Sequence, residues 1–240
     1  MDSRWRARIG PMQGMVIYCE TSSSGSLSEP LSALASLAFI VAAVAAWLLY
    51  RALPQPAGGG RRWDLLSLVG LVAAVGVGSF LWHALASSWT EWFDLIPVLM
   101  FMNLYLVSFL YRGAGLGTFG VAFLLVVFQW GMANAGIRLG PWFGNGSALY
   151  VPVLVALWLA AAFGVLRLGA RSWPLAAAAG MFTISLGLRM GDMAVCPAVP
   201  AGTHFLWHLL NAGVLYLLFR GLAVFVTTVD ENGPVLSARH

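Results

Sequence analysis

Residues 203–226 read THFLWHLLNAGVLYLLFRGLAVFV, a run in which Arg220 is the one formal charge in a stretch long enough to cross a bilayer. About 20 apolar residues of helix span the hydrocarbon core, so a transmembrane helix is expected here. Further runs of the same kind lie at 31–50, 64–86, 93–112, 116–135, 148–168 and 173–190. The sixth, 173–190, is the shortest. None alternates with a period of two, as a barrel strand would, and backbone polar groups in lipid have to be satisfied within the element. The expected fold is therefore all-α, an integral membrane bundle of seven transmembrane helices. A composition 60% hydrophobic and only 9% charged, with mean hydropathy +0.83, agrees and excludes a soluble domain of this size.

The connectors LPQPAGGGRRWD, YRGAGLG, GIRLGPWFGNG and GARSWP are rich in glycine, proline and arginine and suit short interfacial loops. Three regions follow: an N-terminal segment 1–30, the seven-helix domain 31–226, and a tail 227–240 read as a short solvated end. The opening MDSRWRARIGPMQGM lacks the apolar core of a secretory signal, so insertion through the first helix is expected. No repeat of fixed period is visible.

The chain has no lysine, so its arginines alone orient it. With the N-terminus outside, Arg51, Arg61, Arg62, Arg112, Arg167, Arg171, Arg220 and Arg239 lie on the cytoplasmic side. The opposite side carries Arg4, Arg6, Arg8, Arg138 and Arg189, the first three far from the first helix, where the positive-inside rule weakens. A lysine-free, alanine- and arginine-rich chain suggests a GC-rich bacterial genome. The expected location is a bacterial inner membrane, N-terminus outside and C-terminus cytoplasmic. Trp82, Trp89, Trp92, Trp142 and Trp173 fall near helix ends, as interfacial anchors do.

Seven crossings put the end of helix 2 and the starts of helices 3 and 7 on one membrane face. Ser79 and His83, then Asp94, then His204 and His208 occupy those ends. Residues four apart project from one face of a helix, which pairs Ser79 with His83 and His204 with His208. Two imidazoles at that spacing grip one ion, and a third from another helix leaves the fourth tetrahedral position of zinc open, the arrangement of catalytic sites. Taken singly, His83 suits a hydrogen bond to a neighbouring helix, Asp94 an interfacial cap, and the His204/His208 pair bundle packing. Several ionisable groups at one membrane level favour a functional site. Asp192 is three residues from Arg189, and a local ion pair is expected there.

The chain resembles the alkaline ceramidase family of seven-helix membrane hydrolases, in the superfamily that includes adiponectin receptors and Per1-like lipid-remodelling proteins. The resemblance rests on Tyr18-Cys19-Glu20, Glu29-Pro30 and Ser36, on Gly78-Ser79-x-x-x-His83 and Asp94, and on Asp192-x-x-x-Cys196 and His204-x-x-Trp207-His208. Those segments run in order along nearly the whole chain. The resemblance implies zinc held by His83, His204 and His208, with Ser79 and Asp94 as the catalytic residues beside it. It implies hydrolysis of the amide of ceramide, or of a related N-acyl lipid, to an amine and a fatty acid. Family members also carry a calcium site near the YCE segment. Here Ile17 and Ser22 stand at flanking positions, while Glu20 and Glu29 remain as candidate calcium ligands, with helix capping as their alternative.

Cys19 and Cys196 share the N-terminal side in this topology; a disulfide between them is chemically allowed if that side is oxidising, and two unpaired thiols are the alternative. Other functional readings are a Per1-like ester hydrolase, a non-enzymatic lipid receptor or carrier with structural zinc, and haem held between His83 and His208. The expected partners are a ceramide-like membrane lipid and the bilayer itself, with no nucleic acid.

Overall fold

The computed structural model describes residues 18–21, 27–54, 61–140 and 146–232, the last four of these by backbone alone. Ile17, Ser22, Trp142, Arg239 and the arginines at 4, 6 and 8 lie outside the described residues, as does most of the segments 1–30 and 227–240. Among the described residues there is no strand. Seven α-helices follow one another: α1 Pro30–Ala52, α2 Trp63–Leu85, α3 Ser88–Ser108, α4 Thr118–Leu139, α5 Val151–Leu168, α6 Trp173–Val195 and α7 His204–Asn232. A π-helical turn, Phe109–Gly113, prolongs α3, and 3-10 turns at Ser147–Tyr150 and Gly169–Ser172 flank α5.

Among the described residues six stretches are long and apolar enough to cross a membrane, so the chain is a multi-pass membrane protein. The fifth, Ser147–Val195, is 49 residues long and contains both α5 and α6. As one straight helix it would reach about 70 Å, more than twice the hydrocarbon thickness. It breaks at Gly169, which adopts φ +56°, and the Ser172 hydroxyl donates to the Gly169 carbonyl at 2.8 Å. After that break α6 returns to pack on α5.

Three boundaries differ from the sequence expectation by five residues or more. Helix α3 begins at Ser88, five residues early, because Ser87 and Thr90 form a capping box that satisfies first-turn N–H groups. Asp94 thus stands almost two turns inside α3 rather than at its start. Helix α6 continues to Val195, so Arg189 and Asp192 are both buried within it rather than at its end. Helix α7 continues to Asn232, six residues beyond 226, into what was read as a solvated tail.

The scaffold is the extensive packing of α1 on α2 and α7, of α2 on α3, and of α6 on α7. Phe39, Leu68, Val72, Phe101, Phe219 and Leu222 fill its centre. Close approach depends on small residues, as in other membrane bundles. A Cβ on Gly78 would collide with the Phe93 carbonyl oxygen, so glycine there lets α2 touch α3. Leu34, Val41, Leu48, Phe123 and Leu166 face outward, where lipid replaces water. Helix α4 is peripheral; only Val121, Met132 and Ala135 of it are buried. At the end of the bundle away from the histidines, Arg112 forms a two-pronged ion pair with Asp64 at 2.6 and 2.9 Å, joining α3 to α2.

Candidate metal centre

The start of α7 is fixed by a buried carboxylate. Asp192 Oδ1 accepts the backbone N–H groups of Thr203 at 2.6 Å and His204 at 2.9 Å, and Oδ2 accepts that of Cys19 at 2.9 Å. First-turn N–H groups have no intrahelical partner, and an anion there also complements the helix dipole. The Asp192 carboxylate therefore holds backbone donors of the α7 start and of the N-terminal segment. The Thr203 hydroxyl donates to the Leu188 carbonyl at 2.6 Å, and Asn211 donates to Ser185 at 2.8 Å, clamping α7 along α6.

With α7 so placed, His204 and His208 turn one face inward, their Nε2 atoms 3.1 Å apart. His83 reaches the same point from the last turn of α2, its ring 4.5 Å from that of His208 and 5.3 Å from that of His204. All three are buried, and each offers a ligand atom within 4.8 Å of the others. A tetrahedral ion at about 2.0–2.1 Å from each nitrogen holds neighbouring nitrogens about 3.3 Å apart; the His204 and His208 pair already has nearly that spacing, and the three donors together would draw in around one small divalent ion. Haem between His83 and His208 does not fit. A porphyrin would separate two axial imidazole centroids by about 6 Å, and here they are in edge contact.

Two of the rings are held from behind. His83 Nδ1 bonds the Glu29 carboxylate, which also accepts the Thr21 hydroxyl at 2.7 Å. The Glu29 backbone N–H donates to the His83 carbonyl at 2.9 Å, locking this stretch onto the end of α2. His208 Nδ1 lies 3.3 Å from Ser79 Oγ, and the Ser36 hydroxyl of α1 lies 3.1 Å from the same oxygen. Both histidines are thereby engaged at Nδ1 and keep Nε2 for an ion, the usual outer arrangement of a metal-binding imidazole. Asp94 lies beside them, hydrogen-bonded to the Ser79 side chain and in electrostatic reach of His83.

Glu20 and Glu29 serve different donors. Glu20 accepts the Leu31 and Ser32 backbone N–H groups and the Ser32 hydroxyl, the last two at 2.9 and 2.7 Å, and so caps α1. Glu29 serves His83. The capping alternative thus describes the Glu20 side chain, while the Glu29 side chain makes no cap hydrogen bond. Cys19 and Cys196 form a disulfide. It ties the N-terminal segment to the end of α6 and brings Tyr18 flat against His204, ring centroids 3.4 Å apart. Burial pushes the Tyr18 hydroxyl pKa up, so the phenol stays protonated.

Tyr18 and Arg189 were given no part in the site by sequence reasoning, yet both border it. The guanidinium carbon of Arg189 lies 5.4 Å from the Tyr18 and Tyr150 ring centroids and 5.1 Å from that of Trp207. The signs available were an arginine inside the expected run 173–190 and the place of Tyr18 in the YCE motif. The three histidines, Ser79, Asp94 and Arg189 form the polar end of a cavity of about 1150 Å³. From there the cavity runs between α3, α4, α5 and α7 past Phe101, Tyr105 and Phe163 to Phe109 and Leu218, almost entirely apolar. No protein-family model and no curated protein matches this chain.

Proposed function

We propose that the chain is a zinc-dependent intramembrane amide hydrolase that cleaves ceramide or a related N-acyl lipid. The observation that carries this reading is the convergence of His83, His204 and His208 from two distant helices at the polar end of an apolar cavity. Soft and borderline ions prefer imidazole, and three neutral donors in a tetrahedral set favour zinc over calcium or magnesium. In the same reading the chain crosses the membrane seven times, α5 and α6 as separate spans, in a bacterial inner membrane with the N-terminus outside.

Zinc held by these residues supplies Lewis acidity toward an amide carbonyl and activates water at neutral pH. The residues of the chain do the rest. Glu29 fixes the His83 ring, and Ser79 fixes the His208 ring and orients Asp94. Asp94 lines the cavity and accepts the proton of the attacking water, then delivers it to the departing amine nitrogen. Water adds to the carbonyl carbon, the C–N bond breaks, and a fatty acid and an amine result. The apolar limb takes the acyl chain, so only the polar linkage has to leave the lipid environment.

The test is metal analysis of purified protein together with hydrolysis of a panel of N-acyl lipids by wild type and His208→Ala. About one zinc per chain and amide cleavage that disappears in the variant are expected. Full activity in metal-free protein would reject the mechanism, whereas zinc without turnover of any lipid would favour the non-enzymatic carrier.

A further inference from the structure

Arg189 is a cation in the cavity wall to which hydrolysis of a neutral amide assigns no task. It is buried in α6, about two turns from the helix end, at the level of the histidines. Charged groups inside a membrane are expensive and are retained mainly where they serve a site or a pairing. Three aromatic faces, Tyr18, Tyr150 and Trp207, surround the guanidinium, and it hydrogen-bonds the Tyr18 side chain. Such a cage holds the planar group in one orientation.

Its position relative to the histidines is set by two of those rings. Tyr18 touches Arg189 on one hand and stacks on His204 on the other, and Trp207 lies between His204 and His208 in the sequence. The charge of Arg189 reaches both His204 and His208. The apolar limb of the cavity reaches Phe109 and Leu218, while Arg189 lines its polar end with the histidines. With an amide at the histidines and its acyl chain in that limb, the amine half of the substrate stays at the polar end, which Arg189 shares.

The hydroxyls of a sphingoid base offer this cation no charge to meet. A carboxylate does, because the guanidinium fork matches its two oxygens, and a charge-assisted pair in a low-dielectric site is about twice as strong as a neutral hydrogen bond. We propose that Arg189 recognises a carboxylate on the amine half of the substrate, which makes N-acyl amino acids the preferred class over neutral N-acyl amines. The proposal rests on the hydrolase reading for where the amide lies, and its test is arranged to fail separately.

Equilibrium binding is measured in nanodiscs of neutral phosphatidylcholine with N-palmitoylglycine, N-palmitoylethanolamine and the phosphate ester of the latter. The protein is treated with chelator, so that no metal can take the carboxylate. Wild type is expected to bind the glycine conjugate about tenfold or more tighter than the ethanolamide and tighter than the phosphate ester. Arg189→Gln removes that preference without changing ethanolamide binding, and Arg189→Lys keeps part of it. Equal affinities in wild type, a phosphate preference, a carboxylate preference that survives in Arg189→Gln, or a loss falling equally on every ligand would each overturn the proposal. If Arg189→Gln does not fold, the wild-type comparison and Arg189→Lys decide. Hydrolysis of the same compounds and of ceramide is scored apart, with zinc-loaded protein: selective binding by the metal-free protein without cleavage of any of them by the zinc-loaded protein sinks the hydrolase reading and leaves the carboxylate site standing.

Discussion

His83, His204 and His208 were legible from spacing and membrane level alone, because four-residue periodicity fixes which side chains share a helix face. Their orienting partners were not. The Glu29 carboxylate meets His83 only because residues 28–29 fold back onto the end of α2, a tertiary contact that leaves no local pattern in the sequence. An acidic residue before a proline reads equally well as a helix cap, and near a YCE segment as a calcium ligand. Glu29→Ala separates these roles. Removing a hydrogen-bonded partner of a metal-binding imidazole typically lowers metal affinity 10–100-fold, so a loss of that size is expected in zinc competition against a chromophoric chelator. Unchanged zinc affinity accompanied by lower thermal stability would instead mean that Glu29 serves only the start of α1.

At the scale of elements, hydropathy located every helix and misplaced several ends, each for a physical reason. The polar run SSWTEWFD lowers the average over the first turn of α3, yet its serine and threonine are what cap that helix. The sixth expected run stopped just after Arg189 and short of Asp192, although both are buried inside α6. What hydropathy cannot supply is how closely two helices approach. Gly78 sets that distance for α2 and α3 and so brings Ser79 to Asp94. Gly78→Val would drive a side chain into the backbone of Phe93, and overpacking of this kind costs about 1–3 kcal/mol or more. A clear fall in melting temperature in detergent is expected, with weakened activity as Ser79 and Asp94 separate. Gly187, also helical, has no atom within 4 Å of where a Cβ would stand. Gly187→Ala should therefore change stability by no more than about 1 kcal/mol. Equal losses in both variants would show that glycine is needed for something other than the α2–α3 approach.

For the molecule as a whole, the centre joins parts of the chain that are distant in sequence. His83 belongs to α2, while His204 and His208 belong to α7, and Asp192, Cys196 and Tyr18 bring α6 and the N-terminal segment to the same place. An ion bound there bridges the two sides of the bundle and is bound by the folded state alone, since the three imidazoles converge only when α2 and α7 are packed. Mass action then makes stability depend on metal: with free zinc at about a hundred times its dissociation constant, the folded state gains about 2.7 kcal/mol. Chelation of purified protein should accordingly lower the melting temperature by several degrees, and added zinc should restore it. His208→Ala removes one of the three donors, so its melting temperature should respond little to either treatment, even if the substitution itself costs stability. A wild-type melting temperature indifferent to chelator, in protein from which zinc has been shown to leave, would mean that the imidazoles pack together without sharing an ion, and the hydrolytic chemistry built on them would fall with it.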